Sequence, residues 1–470
     1  MKRFLWLGFV LSVYLICSGC GETFRPIIIP NPPVFPNPKA AHTVLSINDD
    51  GTVVPGTAMV VDVSGDTDVS VVNVGLAPVH AVQQTANQVL VVNHSATGAL
   101  ADSITKLNFN SILISSSSTI SLPANSAPNF VATTESSQAY VSLPSYVPDP
   151  VNNPGVVVPS VGVVNTNSNS LINTIPVGTN PVAIAETPNA QKLYVANQGD
   201  NTVMGFNTVD RSARTILTFS APVWLEARSD SQRLYVLNGP GGASPGVVST
   251  VDTTSTAGPD SVIDASITAP GASYMLYDGN KNRLYIPGGT GLTMLDVSQS
   301  IPAVIGGGPI PTCVPPSQSA CIPTVLPSSR SAGDPCASTT SVPGLTFTAV
   351  TVTALPDGSR AYVGGYYGDS AGNICPQVTV IDAVSNAVKS SIAIPGFPAF
   401  DAFCGATTTR FRLMMAAAGD SSRAYLSSCD GGNVNIIDTS TDTYIGNLPA
   451  PVGSRLQNPP QNPVFLIAGP

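Results

Sequence analysis

An aromatic or leucine residue set in a short apolar strand recurs eight times along the chain, at Leu45, Leu90, Tyr140, Tyr194, Tyr235, Tyr285, Tyr362 and Tyr425. An Asp or Asn closing the next strand follows each, at Asp62, Asn108, Asn165, Asn207, Asp252, Asp296, Asp382 and Asp438. A Pro then opens the strand after, at Pro78, Pro128, Pro181, Pro222, Pro270, Pro343, Pro398 and Pro463. Each marker has a physical reason. Leu193-Tyr194-Val195 is β-rich and reads as buried on both faces. An Asp or Asn at a strand end can accept a bond from its own backbone two residues on, which sets a tight turn. Pro is tolerated as the first residue of a strand, where no ladder N–H is required.

The unit is therefore four short strands, repeated roughly every 40–50 residues, which is the signature of a β-propeller blade. The chain reads as all-β over 42–470, with eight blades by repeat count and seven as the runner-up. No long stretch of 3.6-residue period competes with this. The first marker set lacks its own Pro strand. The C-terminal segment Pro463-Val464-Phe465-Leu466-Ile467-Ala468 matches Pro181-Val182-Ala183-Ile184-Ala185. It is expected to complete the first blade beside Thr43–Asn48, which removes two exposed edges. Insertions are expected at 145–158, 307–342 and 399–412, the last lengthening the final blade. Such loops on a rigid rim are either binding elements or unselected low-complexity sequence.

The strands Leu193-Tyr194-Val195-Ala196-Asn197 and Gln377-Val378-Thr379-Val380-Ile381-Asp382 together resemble the YVTN-family β-propeller repeat. The resemblance covers nearly all of 42–470, although Gly365 and Ser428 stand where Asn197 does in later blades. It implies a propeller of surface-layer and other extracytoplasmic proteins, and specifies hardly any activity. Related propellers include lactonases and quinoprotein or haem-linked dehydrogenases.

The N-terminus reads as an address. Lys2 and Arg3 precede an apolar stretch from Phe4 to Ile16, too short for a spanning helix of about 20 residues but suited to a secretory signal. Cys17-Ser18-Gly19-Cys20 resembles a bacterial lipobox, with Cys17 in place of the usual Leu; an ordinary cleaved signal is the alternative. The expected organisation is a signal over 1–19, lipidation at Cys20 and a stalk over 20–41. Two or more acyl chains would hold such a protein stably on a membrane. The stalk carries Pro26, Pro30, Pro32, Pro33, Pro36 and Pro38. As polyproline II it spans ~3.1 Å per residue, roughly 60 Å in all. The expected location is the bacterial cell envelope, with Gly21 after the lipidated residue favouring the outer membrane or cell surface.

Of eight Cys, six remain beyond the leader: Cys313, Cys321, Cys336, Cys375, Cys404 and Cys429. Export makes disulfides permissible. Loop proximity suggests Cys313–Cys321, Cys336–Cys375 and Cys404–Cys429 among the possible connectivities. Zinc is disfavoured because no CxxC pair and no nearby His occurs among these six, and no metal is expected.

Charge bears on function. Only 10% of residues are charged, with Lys+Arg 19, Asp+Glu 28 and three His, a formal balance of −9. A nucleic-acid partner would need a basic stripe, and none is present. There is no CxxCH for covalent haem, no GxSxG elbow and no P-loop. Asp49-Asp50-Gly51 and Asp66-Thr67-Asp68 lack EF-hand spacing and read as turns. No cofactor and no catalytic residue is assigned. The inner strand of each blade lines the channel, and positions two and four after its Pro include His80, Trp224, Glu226 and Tyr274, with Asp401 nearby. These are candidate ligand-binding residues, or simply packing and solvated positions of the ring. Two functions stay open. One is a monomeric envelope module that binds a protein or polysaccharide. The other is a lactonase-like hydrolase using channel carboxylates.

Overall fold

A computed structural model describes residues 43–94, 102–239, 246–256, 258–289, 291–313, 321–326, 329–337, 347–405, 411–454 and 460–469. The expected signal, Cys20 and the stalk lie outside the described residues. Eight sheets follow one another along the chain, antiparallel except where Ile310–Cys313 pairs in parallel with Ile322–Pro323. In blade 4 the strands Pro181–Glu186, Lys192–Asn197, Thr202–Asn207 and Ala213–Thr218 pair in sequence order from the inside outward. The inner strands of neighbouring blades touch all the way round, so the sheets form a closed eight-bladed propeller.

Burial explains the sequence pattern. The second strand is enclosed on both faces, and Leu45, Leu90, Tyr140, Tyr194, Tyr235, Tyr285, Tyr362 and Tyr425 are all fully buried there. Each such side chain contributes about 1.5–3 kcal/mol. The outer strand alternates instead; Thr443–Pro449 points every second residue to solvent. Turn chemistry also holds. Asp62, Asp252, Asp296 and Asp438 each accept a bond from the backbone N–H two residues on. Asn207 differs, because its amide bonds Ser212 and Arg214 instead.

Blade 1 joins the two ends of the chain. Its inner strand, Asn462–Ala468, pairs with Thr43–Asp49 through Val44–Ala468, Ser46–Leu466 and Ile47–Phe465. Pro78, Pro181 and Pro222 do open inner strands. Pro128, Pro270 and Pro398 do not: their inner strands begin later, at Val131, Leu276 and Leu413. The inner strand of blade 7 begins at Thr348, and Pro343 lies outside the described residues. The segment 399–412 leads from blade 7 into the inner strand of blade 8 and so precedes that blade. The described part of 307–342 does more than interrupt a loop. Among the described residues blade 6 has no full outer strand; its third strand, Gly291–Asp296, pairs with Ala303–Val304 at one end and Ile310–Cys313 at the other.

The three disulfides are Cys313–Cys321, Cys336–Cys375 and Cys404–Cys429, the pairing that loop proximity suggested. They point to a protein that matures outside the cytosol. Among the described residues, no helix is long and apolar enough to cross a membrane.

The scarce charges have a use that the sequence did not reveal. Two residues before the central Tyr, blades 4 to 8 carry Lys192, Arg233, Arg283, Arg360 and Arg423. Each reaches the turn between the third and outer strands of the next blade. Lys192 donates to Thr253 O, Ser255 O and Asp260 Oδ1, and Tyr194 donates to Asp260 Oδ2 at 2.8 Å. Arg283 donates to Ala383 O and Arg360 to Thr439 O. Arg423 and Tyr425 both bond Asp66, which ties blade 8 to blade 1. The joint at Lys192 is the most enclosed, with side-chain exposures of 9% and 0% for Lys192 and Asp260. Lys192→Met leaves Asp260 buried without its cation and is expected to cost about 3–5 kcal/mol. Adding Asp260→Leu should recover most of that loss in a chemical-denaturation double-mutant cycle. Additive losses would show that the pair is not coupled.

Candidate functional site

An antiparallel four-stranded blade places two kinds of connection on opposite faces of the ring. Second-to-third and outer-to-inner connections share one face, and 145–158 and the described parts of 307–342 and 399–412 belong to it. The short inner-to-second and third-to-outer turns share the other. The channel is asymmetric in the same sense.

Towards the insertion face, six aromatic side chains at or just before the starts of inner strands meet in a ring across the channel. His80 stacks on Phe130 at 4.0 Å between ring centres. Phe130 meets Trp224 at 5.4 Å, and Trp224 meets Tyr274 at 4.9 Å. Tyr274 meets Phe411 at 5.5 Å, Phe411 meets Phe465 at 5.9 Å, and Phe465 returns to His80 at 4.6 Å. Most contacts are edge-on or tilted, as ring quadrupoles prefer. Blades 4 and 7 present Ala183 and Thr351 at the matching register, which leaves room for the large rings.

Beyond this plug a cavity of about 500 Å³ is lined by the later halves of the inner strands and by Pro188 and Pro356 of the short turns. It therefore lies on the side away from the insertions. Its wall is mostly small and apolar, including Ala81, Ala132, Ile184, Ala185, Leu225 and Ala416, with Phe130 and Trp224 at the plug. Two carboxyls line it, Glu186 and Glu226. Glu226 Oε1 accepts the Trp224 Nε1–H at 3.0 Å. Glu186 Oε2 accepts the Thr134 N–H of the neighbouring blade at 2.6 Å. Burial pushes both up to about 7, against an ordinary value of 4.5. Burial pulls His80 down to about 3, so its ring is neutral at physiological pH. Its Nδ1 accepts the Val131 N–H at 3.4 Å. No Lys or Arg is among the described residues lining the cavity.

The structure thus brings together His80, Trp224, Glu226 and Tyr274. It places Asp401 elsewhere. Asp401 sits on the insertion face with Asp430 and Asn462 in a separate, smaller hollow; its N–H donates to Asp430 Oδ1 and its carboxyl accepts from Phe403 and Asn462. Proximity of Pro398 suggested a channel position, but the inner strand starts only at Leu413. Glu186 was missed by sequence reasoning. A bulge after Pro181 sets Pro181 against Asn197 and Ala183 against Ala196. Blade 5 carries the same bulge, with Pro222 against Asn238 and Trp224 against Leu237, so Glu186, five places after its Pro, is matched by Ala227 and lies on the strand face opposite the positions two and four on; both faces border the cavity. Phe130 and Phe465 stand two after their Pro residues and were legible by the same rule; Phe411, near the end of the insertion 399–412, was not.

No family model and no curated protein matches the chain. Solved structures do. A functionally unknown protein from Desulfotomaculum acetoxidans is 10% identical and superposes with a TM-score of 0.51, covering 91% of this chain and 100% of that one. A dihydro-heme d1 dehydrogenase, solved in complex with DHE, is 11% identical with a TM-score of 0.55, covering 87% of this chain and 73% of that one. A Bacteroides fragilis protein provisionally described as a 6-phosphogluconolactonase is 9% identical with a TM-score of 0.48, covering 91% and 98%. At these identities the likeness shows the propeller fold alone.

Proposed function

We propose that this protein is a membrane-tethered, extracytoplasmic propeller that binds a ligand at its plugged channel without transforming it, as a binding or structural module of the cell envelope. The tether is the lipid on Cys20 followed by the Pro-rich stalk, in keeping with the repeat's resemblance to surface-layer-type propellers. The observation that carries the binding reading is the chemistry of the cavity. A hydrolase needs a nucleophile or base, an orienting partner and oxyanion donors within reach of one reacting atom. Here Glu186 and Glu226 are engaged with different partners, and His80 is neutral with Nδ1 already occupied. The absence of Lys and Arg from the described lining also fits poorly with a phosphorylated substrate.

The lactonase-like alternative retains one supporting observation. Carboxyls poised near 7 suit general acid–base work. The exported chain, lacking its leader and lipid, should therefore be offered both a panel of lactones and fractionated envelope polysaccharide and protein. The expected result is no hydrolysis above buffer, with retention of an envelope fraction that is lost in Ala227→Phe, which narrows the cavity. Lactone hydrolysis that disappears in Glu226→Gln would replace the binding reading with the hydrolase.

A further inference from the structure

Glu186 is only 5% exposed and lines the cavity. Its Oε2 has the Thr134 N–H as partner, but its Oε1 is buried with no hydrogen-bond partner in the protein. An unmatched buried acceptor of this kind is costly, and it stands beside a space large enough for a small ligand.

Resting on the binding reading above, we propose that the cavity takes a small organic cation, a protonated amine on an apolar body, whose ammonium N–H is accepted by Glu186 Oε1 while the apolar part lies against Phe130 and Trp224. The surroundings select for this chemistry. No cationic side chain among the described lining residues competes for Glu186, and His80 is neutral there. The plug offers aromatic faces, which attract cations as well as apolar groups. Glu226 adds a second acidic group to the same wall. Glu135 raises the Glu186 pKa and Thr134 bonds it, while the nearby Tyr140 phenol is pushed up by Glu186 and pulled down by Arg211. An arriving ammonium meets no Lys or Arg among the described residues lining the cavity and favours the ionised form of the Glu186 carboxyl. An anionic ligand would be repelled by both carboxyls in their ionised forms.

The test uses a built-in reporter. The chain has two Trp, and Trp6 lies in the leader, so Trp224 is the single tryptophan of the exported protein. Its emission should be titrated with phenethylammonium, with neutral phenethyl alcohol and with anionic 3-phenylpropionate. The ammonium ion is expected to bind about tenfold tighter than the alcohol, and the propionate to leave emission unchanged. Glu186→Gln keeps an acceptor for Thr134 and should weaken the ammonium by about tenfold while leaving the alcohol unaltered. Ala227→Phe, on another blade, should weaken both. Equal affinity for amine and alcohol, no effect of Glu186→Gln, or no emission change with the ammonium would overturn the inference. Equal affinity leaves the binding reading standing; no response to any probe together with lactone hydrolysis removes both.

Discussion

Deletion of residues 461–470 is expected to abolish the cooperative melting transition of the native ring. The deleted strand supplies the whole inner edge of blade 1. Val464, Phe465 and Leu466 are 0%, 5% and 1% exposed, and at about 1.5–3 kcal/mol each their burial rivals the ~5–15 kcal/mol net stability of a typical domain. The deletion also strips the ladder partners of Val44 to Asp49 and takes Phe465 out of the aromatic plug. It exposes a fully buried strand as an open edge, which invites association with other chains. The Arg423–Asp66 joint between blades 8 and 1 survives, but it is about one-fifth exposed, and ion pairs with that access to water are worth ~0–1 kcal/mol. Phe465→Ala separates closure from the rest, with an expected loss of about 3–5 kcal/mol. Calorimetry and size-exclusion chromatography check both variants. A truncated chain with an unchanged melting temperature would reject strand closure as the source of ring stability.

How far the fold was legible follows from what each residue answers to. The buried Tyr at 194, 235 and 362 and the Asp at 62, 252 and 438 obey local rules of burial and turn formation, so the count of eight blades could be read from their order. The match of Pro463–Ala468 to Pro181–Ala185 likewise announced closure, because an inner strand must look like its fellows. The Pro marker was weaker. Pro opens a strand only where no long connection intervenes, and Pro398 is separated from Leu413 by an insertion. The cavity was half legible: Trp224 and Glu226 follow from alternation, whereas Glu186 lies on the other face of its strand, and that this face also borders the cavity depends on how neighbouring blades pack. The inter-blade joints were hidden for a similar reason. Lys192 and Asp260 are 68 residues apart, and nothing local to either marks them as partners.

Replacing both Cys336 and Cys375 with Ala is expected to cost about 2–4 kcal/mol and to make the segment 321–337 sensitive to protease. This disulfide spans 39 residues and fastens the insertion to the third strand of blade 7, where the described residues include no full outer strand of blade 6 to hold it. The segment has a second anchor. Arg330 has a fully buried side chain whose Nη1 donates to Ile394 O and Asp334, Nη2 to Pro376 O, and Nε to the Tyr367 hydroxyl. Arg330→Ala strands Asp334 and three backbone or hydroxyl acceptors, and should cost about 3–5 kcal/mol even with the disulfide intact. The double cysteine variant should therefore loosen the segment without releasing it, while the triple variant should release it and leave the ring's melting transition in place. Limited proteolysis, with calorimetry under oxidising and reducing conditions, distinguishes these states. If thiol reduction changes neither the melting temperature nor the cleavage pattern, the disulfides are not what holds the insertion, and the chain does not depend on an oxidising compartment for its stability.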